Sequence, residues 1–231
     1  MPSFAFPEAA ARALGRVTAY ASWLRRPPGH PVDLGPLDAA DARRLIDEAL
    51  AQADAGGALG RPDTDATDAT ADVWLPADAT AGVLKAYGLA PGTRQPQGTE
   101  VVAGVVHDPV FGPLVTLAPV GSQSSLVPSL VRHQRARALP LTDVDAADLV
   151  DEVLVGGSDA ASAAPGAPLG APGGKGARRA GLVDLVARLG RLAEELPEVA
   201  DLVIDPELDA GARIRVVPPE ARPELTLRRL R

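Results

Sequence analysis

The feature that most constrains the fold is a change of periodicity near residue 100. From Glu100 to His107 the chain is a run of valines and small residues, which is typical of a buried strand. Asp108 to Gly112 combines Asp, Pro and Gly, residues that favour a tight turn, and Pro113 to Ala118 is a second apolar run. The pattern predicts a β-hairpin.

Helical and strand patterns surround this hairpin. Helices are predicted at Pro7 to about Arg26, Asp38 to about Ala55, Pro76 to Gly88, Asp143 to about Leu154, and about Ala180 to Glu195. Further strands are predicted at Arg132–Leu139, Val199–Ile204 and Ala212–Val217. Because Arg135 and Arg137 alternate along the first of these strands, they are expected to face solvent or an anionic ligand. Helices together with a hairpin and further strands indicate an α/β domain.

The first helical pattern is clearly amphipathic. Its apolar residues recur at helical spacing, with two aromatic residues beside them: Leu14, Val17, Ala21 and Leu24, then Tyr20 and Trp23. Pro27, Pro28 and Gly29 end the pattern. The sequence therefore predicts a helix with one face to bury.

Low-complexity tracts divide the chain. Residues 56–72 are Gly, Pro, Asp, Thr and Ala and are predicted to be a flexible linker. A second tract, about 156–177, is predicted to be a disordered insertion, and 219–231 an irregular tail. The expected organisation is a helical segment at 1–55 and an α/β domain at 73–218.

Composition excludes several classes of function. The formal net charge is -7, which argues against general binding to nucleic acids or membrane surfaces. The absence of Cys excludes disulfides, thiolate metal sites and cysteine nucleophiles. No apolar run approaches the ~18 residues that span a bilayer. A signal peptide is not apparent, so a cytoplasmic protein is expected.

Familiar catalytic motifs do not fit. Gly170 to Lys175 lacks the first glycine and the hydroxyl residue of a phosphate loop, so a linker is the better interpretation. His30, His107 and His133 have no second ligand at metal-binding helical spacing. No serine lies in a Gly-x-Ser-x-Gly elbow.

The hairpin segment carries a family resemblance. Gly98, Glu100 and the run Asp108-Pro109-Val110-Phe111-Gly112-Pro113 resemble the signature of ATP-grasp domains in NDP(ADP)-forming acyl-CoA synthetases. That family includes acetate–CoA ligases and synthetase-like regions fused to acetyltransferase domains. Other segments resemble the family in the same order: Phe6–Leu14 the helix that ends its CoA-ligase domain, Trp74–Leu89 the first ATP-grasp helix, Leu139–Asp143 a strand-to-helix junction, and Arg188–Val199 the helix before the metal-binding strand.

The resemblance implies a partial ATP-grasp fold of the α+β kind, mainly the second subdomain with a mostly antiparallel sheet, preceded by a helical N-terminal segment. It also implies Mg-ATP as cofactor. It implies that Glu100, Gly121 and Arg137 contact the nucleotide or its phosphates and that Asp205 binds the metal. Simpler interpretations stay open for these residues. Glu100 would be an exposed strand-end carboxylate, Arg137 a solvated side chain and Asp205 an Asp-Pro turn residue. Asp108 to Gly112 would serve only as a hairpin turn.

The sequence also departs from the family. The lysine-bearing first subdomain is mostly missing between Ala90 and Gly98, and Lys85 lies before that gap. The family's glycine loop is reduced to Ala118-Pro119-Val120-Gly121, in which the proline removes an amide donor. A metal-binding Asp position is occupied by Val203, which cannot coordinate Mg²⁺.

Two functions remain from the sequence. The chain is either an ATP-grasp subunit or remnant of a synthetase that converts ATP, a carboxylate and CoA to acyl-CoA, ADP and phosphate, or a non-catalytic binding or regulatory module. The first requires a CoA-ligase or acetyltransferase chain, or an oligomer, to complete the reaction. A truncated gene product is a further alternative. The acyl substrate is not indicated.

Overall fold

The structure is a computed structural model that describes residues 6–55, 73–89, 101–108, 110–119, 134–161, 174–205 and 211–218. Within these residues it has five α-helices and six β-strands. The helices are α1 (Pro7–Leu24), α2 (Ala39–Ala55), α3 (Ala77–Ala86), α4 (Asp143–Ala161) and α5 (Gly174–Glu195). The strands are β1 (Val73–Trp74), β2 (Val101–Asp108), β3 (Gly112–Pro119), β4 (Arg135–Ala138), β5 (Val199–Ile204) and β6 (Ala212–Val216).

The strands form one antiparallel sheet in the order β1-β6-β5-β2-β3-β4. The predicted hairpin is its centre, because β2 pairs with β3 on one side and with β5 on the other. The prediction of a mostly antiparallel sheet preceded by a helical segment is therefore confirmed. The strand β1 was not predicted, since only two residues of it pair with β6.

Four helices cover one face of the sheet. A single core cluster joins α2, α3, α4 and α5 to alternate residues of the strands. Its largest buried side chains include Ile46 of α2, Leu149 of α4, Leu189 of α5 and Tyr87, which follows α3. The core contains few aromatic residues, as the composition requires, so leucine and valine provide most of the buried apolar surface.

The register separates the two faces of the sheet. Val105 pairs with Val115 and with Leu202, and these three residues are buried in the core cluster. Their neighbours Val106 and Leu114 pair with each other on the opposite face, because successive side chains alternate. We call this opposite side the helix-free face.

Local capping explains several helix boundaries. Asp38 accepts a hydrogen bond from the backbone of Asp41, as predicted for the start of α2. At α4, Thr142 and Asp145 exchange reciprocal side-chain-to-backbone hydrogen bonds, which is a capping box. Gly88, at φ +69°, ends α3 in a left-handed conformation, and Leu89 donates to the carbonyl of Leu84.

Two helix ends differ from the prediction. The helix α4 continues to Ala161 instead of ending near Leu154, and α5 begins at Gly174 instead of near Ala180. The tract consists largely of glycine and alanine, so it shows no amphipathic pattern that would predict the extra turns of α4 and α5, because such a pattern needs larger apolar residues. Residues 162–173 of the predicted disordered insertion, the 56–72 linker and the 219–231 tail lie outside the described residues.

The helix α1 differs from the other four because none of its residues is buried. Its side chains Leu14, Val17, Tyr20 and Leu24 are 60–68% exposed. The chain after it is fixed to α4, since Arg26 forms an ion pair with Asp148. The helix α2, by contrast, belongs to the core, although both helices fall within the 1–55 segment.

Candidate functional site

Three of the four predicted site residues are close in the sequence to strand termini that lie at one end of the sheet. The strand β2 begins at Val101, β3 ends at Pro119 and β5 ends at Ile204. Val101 pairs with Pro119, and the antiparallel pairing of β2 with β5 puts Ile204 at the same end. We call this the Ile204 end of the sheet. Glu100, Gly121 and Asp205 follow or precede these termini by one or two residues in the chain.

Of these three residues, only Asp205 is among the described residues. It comes directly after β5 and is half-buried. Its backbone N–H donates to the carbonyl of Gly211, the residue before β6, at 3.1 Å. Glu100 and Gly121 lie outside the described residues, as does His133.

The helix-free face beside Asp205 carries a charged pair. Asp201 and Arg215 are cross-strand partners on β5 and β6, and the guanidinium Nε donates to the Asp201 carboxylate at 2.9 Å. One row nearer the Ile204 end, Val203 pairs with Arg213, whose side chain is exposed. The Asp201 carboxylate is therefore engaged by Arg215. The next residue on the same face of β5, Val203, is apolar.

The structure places Arg137 on the other side of the sheet. Arg137 pairs with Val115, a core residue, so its side chain lies on the helix-covered face. There its guanidinium donates to the carboxylate of Glu152 on α4, and Arg135 lies 3.8 Å from the same carboxylate. The expected anionic partner is thus a side chain of the same chain. Arg137 is not brought together with Asp205.

The turn at the far end of the hairpin has a clear local role. The carboxylate of Asp108 accepts the backbone N–H groups of Val110 at 2.8 Å and Phe111 at 2.9 Å. These two hydrogen bonds lower the pKa of Asp108 below its usual range, and the one from Phe111 has the larger effect. Gly112 has φ +77°, which favours glycine. The geometry matches the hairpin-turn interpretation of this motif.

The metal donors are few. No group of three or more His, Asp or Glu side chains converges within the residues that the structure describes. With Asp201 engaged by Arg215 and valine at 203, Asp205 is the single described carboxylate at this sheet end that the resemblance assigns to metal. Mg²⁺ often binds through one or two carboxylates together with substrate phosphates. The donors therefore fit an ion that arrives with a nucleotide, and they do not fit one that the protein holds alone.

Sequence patterns did not predict which charges would pair. Glu152 was not recognised as the partner of Arg137, nor Asp201 as that of Arg215. In the second case a signal existed, because a β5–β6 hairpin places positions 201 and 215 close together once its register is known. The first pair depends on how α4 packs, which no local spacing reveals.

The ATP-grasp domain family matches residues 88–217 of the chain. Among solved structures, the chain is similar to the dinucleotide-forming acetyl-coenzyme A synthetase 1 of Ca. Korarchaeum cryptofilum, solved with coenzyme A and Mg-AMPPCP. That match has 25% identity and a TM-score of 0.38, over 53% of this chain and 55% of that one. The same synthetase with Ca-AMPCP matches at 22% identity and TM-score 0.38, over 61% and 63%.

A third solved structure, PH1788 from Pyrococcus horikoshii Ot3, matches at 16% identity and a TM-score of 0.41, over 78% of this chain and 99% of that one. No curated protein matches the chain. The chain spans about half the length of the first synthetase structures that it matches. Among the described helices, none has the length and hydrophobicity to cross a bilayer. Since the family match covers more than half of the sequence, the chain belongs to the ATP-grasp domain family.

Proposed function

We propose that the chain is the nucleotide-binding part of an ADP-forming acyl-CoA synthetase, and that it does not complete that reaction alone. The observation that supports this is the convergence of three strand termini at the Ile204 end of the sheet. The segments next to these termini carry Glu100, Gly121 and Asp205. A nucleotide bound there would contact residues that adjoin three strands. Phosphoryl transfer depends on such positioning of the phosphates.

The proposed ligand is an adenine nucleotide that brings its own Mg²⁺. Asp205 would contribute one carboxylate to that ion, which offsets charge on the phosphates when it is bound. Glu100 and the amide of Gly121 would contact the nucleotide. Arg137 would reach a phosphate only by leaving Glu152, which makes it the weakest member of the proposed set.

The proposed reaction needs a CoA-ligase part as well as an ATP-grasp part. The lysine-bearing subdomain of the resembled family is mostly missing between Ala90 and Gly98. We therefore propose a cytoplasmic CoA-ligase or acetyltransferase chain as the partner that would supply the acyl-transfer chemistry. The acyl substrate would be set by that partner.

A second candidate function is a non-catalytic binding or regulatory module. It is favoured by Val203, which puts no carboxylate at a metal-binding position of the family, and by the neighbouring Asp201, whose carboxylate is bonded to Arg215. Such a module would bind a nucleotide to change its own conformation or its partner's, without transferring phosphate.

Calorimetric titration of the purified chain with ATP, in Mg²⁺ and in excess chelator, tests the proposal. We expect saturable binding that is tighter with Mg²⁺. Asp205→Asn should remove that Mg²⁺-dependent gain and leave the chelator value unchanged. The matched control is Asp184→Asn, an exposed carboxylate on α5 that pairs only locally with Arg188.

Titrations without heat or saturation under both conditions would overturn the nucleotide-binding proposal. Mg²⁺ dependence that survives Asp205→Asn would overturn the role of Asp205 alone. Binding with no ADP formation after addition of any CoA-ligase partner would favour the non-catalytic module.

A further inference from the structure

Two apolar surfaces of the molecule lack a partner within the described residues. The first is the α1 stripe, which consists of Leu14, Val17, Tyr20 and Leu24, each at least 60% exposed. The second is the hairpin patch, which consists of Val106, Leu114 and Ala138 on the helix-free face together with Val110 and Phe111 in the adjoining turn. An amphipathic helix buries its apolar stripe against another element when it can, and an apolar sheet surface is a suitable one.

The register makes the hairpin patch continuous. Val106 pairs with Leu114, and Leu114 pairs with Ala138 on the edge strand β4. Val110 and Phe111 extend the patch into the hairpin turn, where they are 77% and 71% exposed. Contiguous exposed apolar surface of this kind marks an interaction site more often than scattered single residues do.

The α1 helix does not cover the hairpin patch of its own chain. After α1, Arg26 forms an ion pair with Asp148, and the backbones of His30 and Asp143 are joined by a hydrogen bond of 2.9 Å. Both acidic residues belong to α4, which lies on the helix-covered face, whereas the hairpin patch lies on the opposite face. The anchored end of α1 is therefore on the helix-covered face, and the hairpin patch of the same chain is on the opposite face.

We propose that two copies of the chain exchange their α1 helices, so that the α1 stripe of each copy packs on the hairpin patch of the other. This contact is reciprocal and closes as a two-fold dimer. It covers four apolar surfaces. Direct pairing of two α1 helices would cover only the two α1 stripes and would leave both hairpin patches exposed.

The required area favours exchange. A specific interface buries about 800 Å² on each partner, and four exposed side chains on one helix supply less than that. In the reciprocal exchange each copy buries its hairpin patch as well as its α1 stripe, which increases the area buried on each partner. The helix also has the necessary reach, since its 18 residues extend about 27 Å beyond the anchored end.

Charge supports the same pairing. Residues 1–25, which contain α1 and its C-cap, have Glu8 and three arginines and so a net charge of +2; the rest of the chain, in which Arg26 pairs with Asp148, has a net charge of -9. A basic helix is attracted to the acidic body of a second copy, whereas two basic helices side by side repel each other.

Sedimentation of the full-length chain over a range of concentrations tests whether the dimer exists. We expect a monomer–dimer equilibrium that Val17→Asp weakens at least tenfold, and that Phe111→Ser on the other surface weakens similarly. Ala19→Asp, which adds the same charge to the opposite side of α1, is the matched control and should change the dissociation constant less than twofold.

Crosslinking identifies which surfaces meet, since the chain has no natural cysteine. Mixing a Val17→Cys chain with a Phe111→Cys chain under oxidation should give mostly the mixed disulfide. A monomer at all concentrations would overturn the proposal. So would a dimer insensitive to both substitutions, or predominant Val17→Cys crosslinks between two α1 helices.

Discussion

The helices α1 and α5 have similar lengths, 18 and 22 residues, and both carry an apolar stripe, yet they have opposite environments. Leu182, Val186, Leu189 and Leu192 of α5 are buried against the sheet. The stripe of α1 is exposed along its whole length. Helix patterns thus tell which face is to be buried, and the rest of the molecule decides whether it is covered.

This contrast divides the N-terminal segment. The helix α2 is a member of the core, because Ala42 and Ile46 have no exposed surface. The helix α1 contributes nothing to that core. We expect substitutions of the same kind to destabilise the protein in the core and not in α1, which the following pairs of variants measure.

Leucine truncation gives the largest expected difference. Leu189→Ala on α5 should lower the free energy of unfolding by about 2–5 kcal/mol, because it leaves a cavity in the core. Leu14→Ala on α1, which is 68% exposed, should change it by less than about 0.5 kcal/mol. Urea unfolding at a low protein concentration, where any association is absent, measures both. Equal effects would contradict the division.

Glycine substitution should change stability in opposite directions. A Cβ at position 104 would lie 2.3 Å from the carbonyl oxygen of Leu202, so Gly104→Ala should destabilise the sheet by about 1–3 kcal/mol. Apart from the neighbouring backbone of α1, no atom lies within 4 Å of a Cβ added at position 15, so Gly15→Ala should stabilise α1 by about 0.5–1 kcal/mol. Thermal unfolding checks the first variant and helical circular dichroism the second. A neutral Gly104→Ala would mean that β2 and β5 are less closely packed.

Tyrosine hydroxyls offer a smaller test. The buried Tyr87 hydroxyl donates to Glu195 at 3.0 Å, so Tyr87→Phe should destabilise the protein by about 1 kcal/mol at neutral pH. Tyr20→Phe on α1 is the matched control and should have no measurable effect on unfolding.

The Tyr87 contribution should also depend on pH. Burial, and then the hydrogen bond to Glu195, raise the pKa of Tyr87 above its usual value. Its stabilising effect is therefore complete below the unfolded-state pKa of about 10 and is lost as the pH rises above it. Unfolding from pH 7 to 11 should show the difference between wild type and Tyr87→Phe decreasing. A constant difference would contradict this assignment.

The hairpin turn should give the smallest effect. Because the pKa of Asp108 is lowered in the folded state, its contribution is present above about pH 4 and is lost as the pH falls through the folded pKa. Asp108→Asn should lower the melting temperature slightly at pH 7 and by less near pH 2. If the two proteins differ equally at both pH values, the carboxylate charge is not responsible.

Much of the fold could be predicted, because its signals are local. The β2–β3 hairpin followed from two apolar runs and an Asp-Pro-x-x-Gly turn, and Gly88 marked the end of α3. The ends of α4 and α5 could not be predicted, since glycine and alanine give no periodicity. That α2 belongs to the core and α1 does not depends on the packing of distant elements.

The candidate site was predictable only in part. The chain positions of Glu100, Gly121 and Asp205 came from resemblance, and their connection to one end of the sheet came from strand register. The pairing of Arg137 with Glu152 required knowledge of which face of β4 meets α4. Long-range charge pairs of this kind have no signature in local sequence.

The most direct test of the central claim, that the chain binds a nucleotide but does not turn it over alone, is ADP formation by the purified chain. The assay contains Mg-ATP, acetate and CoA at concentrations that saturate any binding found by titration. The account predicts no ADP above the rate without protein. Sustained ADP formation coupled to acetyl-CoA, lost in the Asp205→Asn variant, would contradict it.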